Sequence, residues 1–529
     1  MYDLIISNAN IYDGTGAPAF YGNVAIQEGK IVAVSKEPLG DAKQTVDAKG
    51  LDLAPGFIDV HSHSDYVLPI DPHRLHVLRM GVTTEISGQC GHSISPASDA
   101  MTEETREFLM TKGAPLYPTM AEHVQALETW ELGPNQYHFA GHGLLRGGVM
   151  QLEARHATDD EIRKMQEALA QAIQEGAAGV STGLSYVPGI YSDTHELTEL
   201  GRTAGLNGGI YVTHSRSESM GLFDSVNECI HIAREGNVPV NISHFKCVGK
   251  VFWERCEKAL SMIDEAIAEG LDITLDAYPY IAASTTTLSA IPPEFLDHGA
   301  AAFAKSLEDP QIVAQIRKEI FEINDPSWDN SMYYVGLENF LIVRAHNTPW
   351  AVGKTYAQIA QELGMDPFDA VVYLLKANNG RIYECRFSMC EENVEMILKH
   401  PKCMVGSDGI YMPGDISCHP RAMGTFPRYL GRYIRERGIL SREEGIHRIT
   451  GMAADRYRLK GKGRIQPGCD ADLVLFDYDT IRDQADFLDP FKPNIGIHHV
   501  YIAGQRILED NEPTGIWNGK FIKKTAENS

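Results

Sequence analysis

Eight short β-rich runs, at residues 57–60, 82–87, 137–141, 178–182, 210–213, 239–243, 273–277 and 404–407, alternate with segments of helical character through the middle of the chain. A strand that leads through a helix into a parallel neighbour takes a right-handed crossover, so sustained alternation restricts the fold to the α/β class. Eight such units predict a (β/α)8 TIM-like barrel over residues 55–458, with reactive groups at the C-terminal ends of its strands. The connecting segments agree with this. Thr158-Asp159-Asp160-Glu161 is a capping box, whose threonine and glutamate side chains satisfy free amides at a helix start, and that helix is expected to stop near Gly176. Residues 253–270 carry a second helical pattern. The spacing fails once: about 125 residues separate the last two strands, far beyond an ordinary connection. Residues 356–363 and 367–376 read as helices there, whereas runs such as 340–343 show no clear period. Residues 284–344 are therefore expected to form an inserted lobe, a lid over the barrel mouth.

The two ends of the chain look alike. Leu4-Ile5-Ile6, Asn23-Val24-Ala25-Ile26 and Lys30-Ile31-Val32-Ala33-Val34 are β-rich, the last two joined by a turn at Glu28-Gly29-Lys30. Asp472-Leu473-Val474-Leu475-Phe476 and residues 500–507 repeat the device. Neither end has the strands for its own core, so residues 1–54 and 459–529 are expected to meet in one small β-sandwich. Composition then narrows the partners. Lys and Arg total 47 against 71 Asp and Glu, a formal charge of −24, which disfavours nucleic acid and anionic membrane surfaces. No apolar run reaches the roughly 18 residues that a membrane span requires. Nine cysteines, an odd number without a C-x-x-C pair, suit a reducing compartment, and Met1-Tyr2-Asp3-Leu4-Ile5-Ile6 lacks a basic signal region. A cytoplasmic location is expected, and nothing in the sequence sets the oligomeric state.

The strand ends carry the chemistry. His61 and His63 follow the first strand in His61-Ser62-His63, and residues two apart in an extended chain point the same way. Cys90 lies just past the second strand, His214 ends the fifth, His244 the sixth and Asp408 the eighth. Each alone reads as a buried polar residue with satisfied partners. Together, four of only 20 histidines, one cysteine and one aspartate at C-terminal strand ends make a ligand set suited to Zn²⁺.

The order His-x-His, bridging ligand, His, His, Asp resembles the amidohydrolase superfamily. Gly88-Gln89-Cys90-Gly91, Gly179-Val180-Ser181-Thr182-Gly183-Leu184, Ser243-His244-Phe245-Lys246, Ser407-Asp408-Gly409, His419-Pro420-Arg421 and Gly424-Thr425-Phe426-Pro427-Arg428 are similar to motifs of the N-acyl-D-amino-acid deacylases (D-aminoacylases). The resemblance runs from the first strand to about residue 480. It implies zinc-dependent hydrolysis of N-acyl-D-amino acids to a carboxylate and a free D-amino acid. It also implies that Cys90 takes the bridging place held by a carbamylated lysine in hydantoinase-like and dihydroorotase-like relatives. Only Lys112 and Lys164 lie between His63 and His214, and neither falls on the fourth strand. By the same resemblance Cys90, His214 and His244 bind a tight zinc, while His61, His63 and Asp408 frame a second position, weak or empty. Asp408 is the implied catalytic residue, taking a proton from the attacking water and giving it to the departing amine.

The substrate so implied is a small molecule with a free α-carboxylate. Lys246, Arg421 and Tyr278 match the family's carboxylate binders, with Tyr280 a competitor for Tyr278; Tyr186 is a candidate for orienting the acyl carbonyl. Residues 279–304 contain no Lys or Arg, so an acidic side chain bound there would lack a partner and a preference for neutral or hydrophobic D-residues is expected. His92 departs from the family pattern, which has an apolar residue more often. Two other readings compete: a cyclic-amide hydrolase of the hydantoinase or dihydroorotase kind, and a non-catalytic scaffold on the same fold.

Overall fold

The computed structural model describes residues 1–102, 105–106, 109, 115–323, 325 and 327–524; Lys112 lies outside them. Nine strands from the two ends form one sheet. Its seam is the antiparallel pairing of Asp52–Pro55 with Leu473–Phe476, in which Ala54 faces Val474. Ile6, Ile26, Leu53 and Leu475 pack into a common core there, so the termini meet as the repeated β pattern requires. The tail beyond Pro513 departs from this sheet: Gly519 bridges Leu132, Phe521 bridges Gln136, and Trp517 stacks on His73 at 3.9 Å.

The middle of the chain is parallel. β1 (Phe57–Asp59), β2 (Val82–Ser87) and β3 (Asn135–His138, resumed as Ala140–Gly141) lie side by side. The resumed part of β3 then pairs with β4 (Gly179–Gly183), followed in order by β5 (Ile210–His214), β6 (Val240–Ile242), β7 (Ile273–Ala277) and β8 (Cys403–Val405). Just past the first and last of these, Ser62 makes a parallel bridge with Gly409, and the Asp408 amide donates to the His61 carbonyl at 2.7 Å. Every residue of β1 to β8 is buried, the behaviour of parallel strands covered on both faces. The capped helix is present as Asp159–Gln174, with both capping-box bonds.

Between β7 and β8 a separate unit is built. Ala282–Thr286, Tyr383–Phe387 and Phe340–Arg344 form a three-stranded antiparallel sheet with Tyr383–Phe387 in the centre. Helices including Gly299–Ser306, Tyr356–Leu363 and Pro367–Ala377 pack with Phe340 and Ile342 around a core of their own that includes Phe303, Ile359 and Leu374. The unit thus runs from 282 to 387, past the 284–344 bounds suggested by sequence. Its first and central strands pair Ala282 with Phe387, a contact that local spacing does not reveal. Phe340–Arg344 showed no period because four of its five residues are buried, which removes the alternation that marks a half-buried strand.

Candidate metal centre

The chain ends of β1, β2, β5, β6 and β8 deliver His61, His63, Cys90, His214, His244 and Asp408 to one place, each at most 9% exposed. Cys90 Sγ lies 3.3 Å from His61 Nε2 and 3.3 Å from His244 Nε2. Asp408 Oδ1 lies 3.1 Å from His63 Nε2 and 3.5 Å from His61 Nε2. One donor atom each from His61, Cys90, His244 and Asp408 falls within 4.8 Å of all the others.

The backbone is bent to achieve this. Cys90, His244 and Asp408 have φ of 54°, 35° and 49°, a left-handed conformation that costs an L-residue about 1–2 kcal/mol and gathers at functional sites. Local contacts hold it. The His244 amide donates to Asp276 Oδ1 at 2.8 Å. A Cβ at Gly183 would sit 2.0 Å from the Cys90 carbonyl oxygen, and one at Gly406 would sit 2.4 Å from His61 Cβ. Glycine at these two positions lets β4 and β8 close on the ligands.

Burial pushes the Cys90 thiol up, but the His61 and His244 imidazoles beside it outweigh burial and hold it well below its ordinary range. Burial likewise opposes ionisation of Asp408, and the Arg421 guanidinium with the neighbouring imidazoles overcomes it. His214 Nδ1 is buried without a hydrogen-bond partner, while its Nε2 meets Ser185 Oγ at 2.7 Å. A thiolate, a carboxylate and imidazole lone pairs packed this closely repel one another unless a cation lies among them. Their chemistry fits a divalent metal of the zinc type. Lys164 is exposed on the helix Asp159–Gln174, far from serving as a bridging ligand.

Three supporting residues escaped the sequence reading. Asp276 approaches His61 Nδ1 at 3.2 Å and accepts from Asn241 at 2.7 Å; its signal was a charged residue inside the apolar run of β7. Glu218 lies 3.2 Å from His244 Nδ1, the carboxylate-behind-histidine arrangement that orients metal ligands. Neither Glu218 nor Ser185 stands in a periodic segment that would have marked it.

Glu218 also changes the place of Lys246. The ammonium is 3% exposed and lies 2.5 Å from Glu218 Oε1 and 2.9 Å from His244 Nδ1, so it is not the free cation expected for a substrate carboxylate. Arg421 differs. It is 1% exposed, and one nitrogen, Nη2, serves both Asp408 Oδ2 at 2.8 Å and the Ser284 carbonyl at 3.1 Å. Its Nε and Nη1 are buried with no partner. The guanidinium lies 4.6 Å above the Tyr278 ring, and the Tyr278 hydroxyl is also buried and unpartnered. Tyr280 instead points its hydroxyl at the Pro420 carbonyl and stacks with Arg428, which separates the two tyrosines. The Tyr186 hydroxyl meets Thr285 Oγ1 of the lobe at 3.0 Å, with its ring against His214 and His92. Burial and the neighbouring His63 push His92 down to about 4, so it is a neutral wall residue.

Of the site residues expected from sequence, all except Arg421, Tyr280 and His61 line a cavity of about 610 Å³, whose wall also includes residues of the lobe. The wall is less neutral than residues 279–304 suggested, because later segments bring Arg344, Arg381 and Arg386 to it. Arg344 is matched by Asp415 and Arg386 by Glu384 at 2.8 Å.

Residues 44–508 match the model of the amidohydrolase family, and the chain belongs to that family. Within it, the chain is 33% identical to the D-aminoacylase of Alcaligenes xylosoxydans xylosoxydans, over 99% of this chain and 98% of the relative. It is 34% identical to the N-acyl-D-aspartate deacylase of the same organism, over 97% and 93%. The crystal structure of N-acyl-D-glutamate deacylase from Bordetella bronchiseptica, complexed with zinc and a phosphonate mimic of the tetrahedral intermediate, is 30% identical. It superposes with a TM-score of 0.84, covering 99% of this chain and all of that one. No helix among the described residues is long and apolar enough to cross a membrane.

Proposed function

We propose that this chain is a zinc-dependent N-acyl-D-amino-acid deacylase, hydrolysing the amide of an N-acyl-D-amino acid to a carboxylate and a free D-amino acid. The observation that carries this reading is a pairing in one place: a Cys90-centred donor cluster, and beside its Asp408 a buried guanidinium with two nitrogens to spare. The first suits hydrolysis and the second suits an α-carboxylate. The names of the full-length relatives support the linear amide and the D configuration.

In this reading Cys90, His214 and His244 would hold the tight zinc, and His61, His63 and Asp408 would frame a second, weaker position. Zinc held there would supply Lewis acidity for polarising the scissile carbonyl and activating the attacking water. Asp408 takes the proton of the attacking water and passes it to the amine nitrogen. One of the spare Arg421 nitrogens, Nε or Nη1, donates a charge-assisted bond to the carboxylate, and the Tyr278 hydroxyl adds a second. Tyr186 steadies the acyl carbonyl from the β4 loop. Lys246 acts at one remove, compensating the Glu218 charge that orients His244.

The substrate side chain lies against Thr285, Leu288 and Ile291, favouring neutral or hydrophobic D-residues. An acidic side chain gains no partner from Arg344 or Arg386 without breaking a matched pair, which is costly when buried. We infer further that β1 to β8 close as a barrel through the Ser62–Gly409 bridge, beneath a lid of residues 282–387. The nine-stranded terminal sheet folds on itself as a sandwich, and nine free thiols support a cytoplasmic setting.

A panel of N-acetyl-D- and N-acetyl-L-amino acids, with free amine as readout on zinc-loaded protein, tests the reading. Acetyl-D-leucine and acetyl-D-methionine should exceed acetyl-D-glutamate by about tenfold or more in kcat/KM, a discrimination typical of one pocket contact. Hydrolysis confined to L-substrates, or to hydantoin and dihydroorotate, would overturn it. Arg421→Lys should raise KM for acetyl-D-leucine by about tenfold or more, because an ammonium cannot bond the carboxylate while keeping the guanidinium's contacts to Asp408 and Ser284. Steady-state kinetics at fixed zinc check this, and an unchanged KM removes Arg421 from the carboxylate site.

A further inference from the structure

The cavity is larger than an acetylated amino acid needs. Its 610 Å³ lies within the range that accommodates drug-sized ligands, and part of it is unused by the groups assigned above. The carboxylate grip stands over β7 and the segment after β8, and the side-chain wall belongs to the lobe. Beside the His63 and Asp408 end of the donor cluster, in the segments that follow β1 and β8, the cavity continues along Tyr66, Val67, Ile70, Ile410 and Met412. These residues follow the proposed ligands directly: Tyr66 and Val67 come three and four residues after His63, and Ile410 and Met412 two and four after Asp408. Tyr66 and Val67 pack with Ile94 at the base of this arm, and Met412 leans on them. Ile70 is 55% exposed, placing an apolar residue at the outer end.

With the carboxylate assigned to Arg421, the carbonyl to the donor cluster and the side chain to the lobe wall, this arm is an apolar stretch of the cavity left to the acyl chain. Resting on the deacylase reading, we propose that this arm is an acyl subsite and that the enzyme acts on D-amino acids bearing extended apolar acyl groups rather than acetyl. Each methylene laid along such a wall is worth about fourfold in binding.

Acetyl-, butanoyl-, hexanoyl- and octanoyl-D-leucine, assayed with zinc-loaded enzyme by release of D-leucine, test the subsite. The expected result is a rise in kcat/KM of about tenfold or more from acetyl to hexanoyl. Met412→Glu should lower the hexanoyl-to-acetyl ratio of kcat/KM by about tenfold. Ile70→Ser, at an exposed site that does not threaten folding, should lower the octanoyl-to-acetyl ratio more than the butanoyl-to-acetyl ratio. Hydrolysis of acetyl-D-leucine with kcat/KM flat or falling along the series overturns the subsite and leaves the deacylase reading standing. Failure to release D-leucine from any member overturns the deacylase reading, and the subsite with it.

Discussion

Asp408→Asn should lower kcat for acetyl-D-leucine by about 10³-fold or more, within the span that general acid–base groups contribute, while tightly bound zinc is retained. Asparagine keeps the size of the side chain and offers an oxygen to His63, which Asp408 now meets at 3.1 Å. It has no carboxylate to accept the proton of water and none to return to the amine. The tight position in this scheme is held by Cys90, His214 and His244, so the loss should fall on turnover and not on metal content. Arg421 loses its anionic partner at 2.8 Å; part of the effect will therefore appear as a lower melting temperature, because a buried cation without its counter-charge is destabilising. Turnover numbers, zinc content by atomic spectrometry and thermal melts on one preparation separate these contributions. A variant within tenfold of the parent in kcat would remove Asp408 from proton transfer.

The proposed site residues at strand ends were legible because two local signals coincide there. The strand is marked by a short apolar run, and the His, Cys or Asp that follows has no reason to be apolar. Cys90, His214, His244 and Asp408 all carried both marks, and the structure brings all four together with His61 and His63. Glu218 carried neither: it reaches His244 and Lys246 from a loop, across the sheet order, through contacts 26 and 28 residues apart in sequence. The same long-range closure hid the extent of the lobe, whose central strand returns about a hundred residues after the first. Lys246 shows the consequence for function. Its spacing from His244 was read correctly, yet a cation's role depends on which anion it meets, and Glu218 was not visible. In a chain with a formal charge of −24, the informative cation beside the donor cluster is an under-satisfied one, Arg421, whose Nε and Nη1 are buried without a partner.

Removing the sulfur should have the largest effect of all. Cys90→Ala is expected to reduce zinc affinity by more than about 100-fold, since loss of even an outer-shell partner costs 10–100-fold, and to reduce activity at low free zinc to background. Sγ is the atom to which His61 and His244 both converge at 3.3 Å, and the imidazoles that depress its pKa suit it to be the anionic donor of the proposed tight set. Without it, the proposed tight set keeps only the nitrogens of His214 and His244, too few for the four-coordinate sites zinc prefers. The φ of 54° at position 90 is held by the packing of Gly183, which alanine retains, so the variant should still fold. Linkage supplies a second readout. A tightly bound ion stabilises the native state by mass action, so a chelator should lower the melting temperature of the parent and leave that of Cys90→Ala almost unchanged. If the variant instead holds stoichiometric zinc through chelation as the parent does, Cys90 is a bystander and the tight site lies among the histidines and Glu218.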